Sequence, residues 1–138
     1  NVMFAGPNNS IIIDHGISAG HKAGAFSYGT VTGTPDDMAP EMIRGERPDP
    51  RSDVYMLGIL AYEMLTGKNP FKRSDDVLAT YEAHRTYEAE RPAKLRGYDK
   101  FWAVIQRALE KDPDKRFANA GEMNRAIGKA MQEKRVAA

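Results

Sequence analysis

The sequence predicts a mainly α-helical domain with one small β-hairpin at its N-terminal edge. Three observations carry this. Two short apolar, partly β-branched runs, Val2-Met3-Phe4 and Ile11-Ile12-Ile13, flank Ala5-Gly6-Pro7-Asn8-Asn9-Ser10, a turn rich in Gly, Pro and Asn. From Ser52 onward the apolar residues recur at helical rather than strand spacing. Each of those later runs is bounded by residues that start or stop helices.

The helices follow in order. Ser52 to Thr66 is apolar nearly all round (Val54, Leu57, Ile59, Leu60, Ala61, Met64, Leu65), which predicts a helix buried on several sides. Gly67 is its expected C-terminal cap, and Pro70 prevents its resumption. Ser74 is expected to cap the next helix, with Asp75 and Asp76 complementing its dipole and Val77, Leu78 and Tyr81 on one face. Asp99 starts a third, carrying Phe101, Trp102, Val104, Ile105, Ala108 and Leu109, and Asp112-Pro113 stops it. Asn119 and Glu122 have capping-box spacing. Beyond them Met123, Ala126, Ile127, Ala130 and Met131 form a helical stripe. The tail 133–138 is expected to fray.

Composition narrows the function. The 138 residues suffice for one core, and 41% hydrophobic with 28% charged residues is the balance of a soluble globular protein. With 20 basic and 19 acidic residues the net charge is +1, so no bulk attraction to nucleic acid or membrane is indicated. No apolar run approaches membrane-spanning length. Cysteine is absent, which removes disulfides and thiolate metal sites and is compatible with a reducing compartment. The three histidines, His15, His21 and His84, match no metal-ligand spacing and read as solvated or structural. The long stretch from Ile17 to Thr34 has no periodicity and is dominated by Gly, Ser, Thr and His, the mark of a functional or mobile loop.

Set along this framework are short motifs in a fixed order: Asp14-His15-Gly16, Gly33-Thr34-Pro35, Ala39-Pro40-Glu41, Arg51-Ser52-Asp53-Val54-Tyr55 and Arg116. In this order they resemble the later part of a protein kinase catalytic domain, in which D-F-G and A-P-E bracket a phosphorylatable loop. The stretch from Tyr55 through Leu65-Thr66-Gly67-Lys68-Asn69-Pro70-Phe71 looks most like the bacterial serine/threonine kinases. The fold implied is a kinase C-terminal lobe, part of a two-lobed α+β parent. Within it, 1–16 is the hairpin and metal motif, 17–41 the activation and docking loop, and 42–132 the helical subdomain.

The resemblance implies roles residue by residue. Asp14 is the Mg²⁺ ligand, Asn1 matches the asparagine that closes the catalytic loop and is the second ligand, and Gly16 lets the following loop turn. His15 departs from the family's Phe and places a polar, titratable ring where an apolar one packs. Ser18, Ser27, Tyr28, Thr30 and Thr32 occupy the activation loop, with Ser27, Thr30 and Thr32 the candidate phosphosites. Gly33, Thr34 and Pro35 form the substrate-docking loop. The Thr34 hydroxyl supports catalysis by bonding the catalytic Asp. Asp37 stands where the family usually has an aromatic residue and would favour basic substrates. Glu41 and Arg116 are the expected buried ion pair, and Asp53 the residue that positions the catalytic loop.

The intact parent would transfer the γ-phosphoryl of ATP, with Mg²⁺, to Ser or Thr hydroxyls of protein substrates, in the cytoplasm. The Gly-rich loop, the strand Lys and the catalytic Asp are not among these residues, so the 138 residues alone are expected to be inactive. Apolar surface is expected to be exposed along the Ser52–Thr66 helix. A pseudokinase or kinase-like interaction module without catalysis is the alternative, and an unrelated helical bundle would require every motif to be coincidence.

Overall fold

The computed structural model describes residues 2–6, 9–12 and 35–136. Strands β1 (Val2–Gly6) and β2 (Asn9–Ile12) pair antiparallel, with Val2 opposite Ile12 and Phe4 opposite Ser10. The register shifts between Phe4 and Gly6, so the expected hairpin forms with an irregularity at its turn end.

A 3₁₀ turn at Pro35–Asp37 leads into α1 (Pro40–Ile43). The central element is α2 (Pro50–Thr66), which begins two residues before the expected Ser52. Asp49 caps it: its carboxylate accepts the Arg51 N–H at 2.7 Å, Pro50 occupies the first turn, and the Ser52 hydroxyl accepts the Asp49 N–H at 3.2 Å. Gly67 ends it at φ +74°, its N–H bonded to the Glu63 carbonyl at 2.7 Å. That left-handed geometry is the reason a glycine stands there.

Helix α3 (Val77–Thr86) corrects two expectations. Its cap is Asp76, whose carboxylate accepts the Ala79 N–H at 3.0 Å, whereas Ser74 lies outside at φ +48°. Its buried face is Thr80, Ala83 and His84, while Val77 and Leu78 are exposed. Polar residues can face inward here because they find partners; the Thr80 hydroxyl, for one, accepts the Arg73 N–H at 3.0 Å. Helix α4 (Asp99–Ala108) buries Trp102, Val104, Ile105 and Ala108 as expected. Before α5 (Ala120–Val136), Asn119 accepts the Glu122 N–H at 3.0 Å. Glu122 reaches back one residue further than a capping box, to the Ala118 N–H at 2.8 Å. Helix α5 runs to Val136, into the segment expected to fray.

The core has two parts, and α2 wedges between them. Tyr55 and Ile59 face a cluster that includes Phe71, Trp102, Ile105 and Leu109. Val54 faces a second cluster of Val104, Ala108, Phe117 and Met123, flanked by Ala126, Ile127 and Ala130. A helix with apolar residues on nearly all sides is thereby used on two of them. Gly58 sets its approach to α4: a Cβ there would meet the Ala108 Cβ and Leu109 Cδ2 at 3.0 Å. Met64, in the helix expected to show apolar surface, is 70% exposed.

Candidate functional site

The best-defined polar structure is built on the Glu41 carboxylate. Glu41 enters at the second residue of α1, behind Pro40, and both it and Arg116 are almost fully buried. Arg116 Nη1 and Nη2 donate to Oε1 and Oε2 at 2.7 and 2.8 Å, a bidentate pair. The remaining guanidinium donors reach the carbonyls of Arg51 (3.1 Å), Lys111 (3.2 Å) and Glu110 (2.7 Å). All five guanidinium N–H groups therefore have acceptors. The Ser52 hydroxyl adds a third donor to Glu41, at 2.7 Å from Oε1. Burial pushes the Glu41 carboxyl up, but the hydrogen bonds from Arg116 and Ser52 outweigh it and hold the group below its ordinary value. One charge pair thus ties α1, the start of α2 and the loop before α5 into one unit. Arg51 adds a second, exposed link from α2 to that loop by pairing with Asp49 and Asp114, a surface arrangement worth little by itself.

Beside it lies an aromatic and cationic stack that the motifs did not foretell. The Arg116 guanidinium sits 4.8 Å from the centre of the Tyr55 ring, which stacks on Phe71 at 5.8 Å. The Lys111 ammonium lies 3.8 Å from the Phe71 ring centre and 3.4 Å from the Tyr55 hydroxyl. That hydroxyl is 3.1 Å from Nδ1 of the fully buried His84. Burial, with the nearby Lys111 charge, pushes His84 down to about 4, so the ring is neutral near pH 7. Burial likewise lowers Lys111 to about 8, helped by Arg116, and raises the Tyr55 hydroxyl. His84 is thus the structural histidine expected from the sequence.

The segment expected to dock substrate is described from Pro35 onward. Asp36 and Asp37 make up the rest of the 3₁₀ turn, and Met38, Ala39 and Pro40 are buried behind them. Asp37 is half-buried. Burial and the adjacent Asp36 push its carboxyl up, and Glu63 is raised by burial and by Asp37 in turn. The Lys72 ammonium pairs with Asp36 at 2.5 Å. Asp36, Asp37 and Glu63 thus bring three carboxylates together here, one of them paired with Lys72.

Asn1, Asp14, His15, Gly16, Ser27, Thr30, Thr32, Gly33 and Thr34 lie outside the described residues. Among the described residues no group of His, Cys, Asp or Glu is placed to hold a metal ion, and no helix is long and apolar enough to cross a membrane. Asp53 is exposed on the first turn of α2. Sequence reasoning missed Ser52 and the Tyr55–His84–Lys111 stack. The cue for Ser52 was Asp49-Pro50, which marks a helix start three residues before it.

A helical lobe whose loop-proximal Glu is clamped by an Arg 75 residues away is the arrangement that the resemblance to protein kinases implies. The chain belongs to the protein kinase domain family, whose model matches residues 1–129. It is 37% identical over 129 residues to serine/threonine-protein kinase PknB of Mycolicibacterium smegmatis, and 36% over 130 residues to that of Mycobacterium tuberculosis. It is 32% identical over 131 residues to the probable serine/threonine-protein kinase PknB of Bifidobacterium longum. These matches cover 89%, 89% and 92% of the chain, which spans about a fifth of the length of these relatives (20%, 20% and 19%).

Proposed function

We propose that this chain is the C-terminal-lobe part of a serine/threonine protein kinase that transfers the γ-phosphoryl of ATP to Ser or Thr hydroxyls of proteins. The observation that carries the reading is the saturated Glu41–Arg116 pair immediately after the docking segment. It fixes the end of that segment to the rigid helical core, as positioning of a substrate hydroxyl demands. The names of the relatives support the same reaction class.

In this reading Thr34 orients the catalytic Asp, and Gly33 and Pro35 shape the loop around it. Asp53 holds the catalytic loop from the first turn of α2, and Ser27, Thr30 and Thr32 are sites of regulatory phosphorylation. Asn1 and Asp14 supply an amide oxygen and a carboxylate, the hard donors that suit Mg²⁺. Mg²⁺ bound with ATP would neutralise phosphate charge. Asp37, beside Glu63, favours a basic residue in the substrate near the phosphoacceptor. The reaction belongs to the cytoplasm, where ATP is available.

Phosphoamino-acid analysis tests this. The longest natural form of the protein, given radiolabelled ATP, Mg²⁺ and a mixed peptide substrate, should yield phosphoserine and phosphothreonine. Labelled phosphotyrosine, or no label above a magnesium-free control, would overturn the assignment. The second outcome would favour a kinase-like interaction module, a reading for which the departures at His15 and Asp37 are the specific support.

A further inference from the structure

We propose that Asn69 is a positioning residue for the docking loop, holding it through the backbone carbonyl of Asp36. The inference rests on the reading that this loop receives a protein substrate, but the latch itself can be tested without it.

Asn69 lies in the connection between α2 and α3, 33 residues from Asp36 in sequence. Its side-chain oxygen accepts the N–H groups of Phe71 at 2.9 Å and Lys72 at 3.2 Å, which shapes the turn through Pro70. Those two bonds fix the orientation of the amide, so its nitrogen faces away from the turn. That nitrogen donates to the Asp36 carbonyl at 2.8 Å. One half of the amide therefore builds the turn, and the other half exports its rigidity to the docking segment.

The turn is a firm anchor. Phe71 is fully buried and packs on Tyr55 and on His84, with ring centres 5.8 and 4.8 Å away. Lys72 from the same turn pairs with the Asp36 carboxylate. His84 lies in α3, the helix that packs against the 35–37 turn, and its Nε2 is buried without a hydrogen-bond partner. Asp36 is thus approached from both α3 and the turn before it, only two residues beyond Thr34. Glu41 anchors the C-terminal end of the docking segment and Asn69 its middle. Loss of the second anchor leaves α1 in place but frees the residues that present the substrate.

Two variants separate the latch from the turn: Asn69→Asp and Asn69→Ser. Both keep an oxygen for the Phe71 and Lys72 N–H groups, and neither carries the amide N–H groups that serve the Asp36 carbonyl and the Glu63 carboxylate. Hydrogen–deuterium exchange of residues 35–38 in the longest natural form should accelerate roughly tenfold in either variant, as for loss of one internal hydrogen bond, with 99–108 unchanged. KM for a peptide substrate should rise by roughly tenfold, with kcat and the KM for ATP within about twofold of wild type. Unchanged exchange at 35–38 in either folded variant would overturn the latch. So would faster exchange accompanied by a loss of kcat without a rise in peptide KM. Exchange reads the latch even where wild type transfers no phosphate, so failure of the kinase assignment and failure of the latch give different results.

Discussion

The Ser52 hydroxyl and the Arg116 guanidinium donate to the same oxygen of Glu41, each at 2.7 Å. Ser52 also accepts the Asp49 N–H at the start of α2. The helix cap and the buried ion pair are therefore one structure, and a change in either is felt by both. Ser52→Ala should cost about 1–3 kcal/mol, because the Asp49 N–H loses an acceptor and Glu41 a donor. Chemical denaturation measures this, and a cost near zero would show that the cap and the pair are independent.

Arg116→Ala should be more damaging. It leaves a buried carboxylate without its counter-charge, which costs on the order of 3–5 kcal/mol. Arg116→Lys should recover only part of this, because one ammonium cannot reproduce a bidentate grip plus three carbonyl contacts. Equal stability of the Lys variant and wild type in a urea titration would contradict the geometry.

Acid should destabilise the lobe in two stages. The unfolded chain protonates His84 near its ordinary 6.5, whereas the folded ring, desolvated and near Lys111, resists until about 4. The unfolded state thus binds more protons between those values. The His84 contribution is complete above about 6.5 and is lost as pH falls toward about 4. Glu41, whose carboxyl is held below its ordinary 4.5, adds a further loss as pH falls below that value. Melting temperatures recorded across pH 4–7 should fall with acid in wild type and flatten in His84→Gln. An equally steep fall in the variant would remove His84 as the cause.

Gly58→Ala tests the contact between α2 and α4. The added methyl meets two side-chain carbons at 3.0 Å in a packed interface. A loss of about 1–3 kcal/mol is expected from overpacking. A stabilised variant would mean that the helices can part without penalty, and that helix propensity wins instead.

The ion pair was legible in the sequence because its two ends sit in motifs of fixed order, so a 75-residue separation was no obstacle. The helices were legible wherever apolar period and cap agreed, as at Gly67 and Asn119. Ser74 and Asp76 both suit a helix start, and the choice between them is tertiary: packing turns Thr80 inward, where it takes the Arg73 N–H. The inward face of α3 was hidden for the same reason, since Thr80 and His84 look like surface residues until their partners are known. Tyr55, His84 and Lys111 meet across 29 and 56 residues with no motif to join them. Asn69 read only as part of the stretch that looks like the bacterial kinases, and its bond to Asp36 depends on where residues 35–37 lie.

Phosphate transfer from radiolabelled ATP·Mg²⁺ by the longest natural form of this protein, run beside Asp14→Asn, tests the central claim most directly. The account predicts transfer to Ser or Thr that vanishes in the variant while its fold is retained. No transfer above the variant, from folded protein offered several generic substrates, would contradict it.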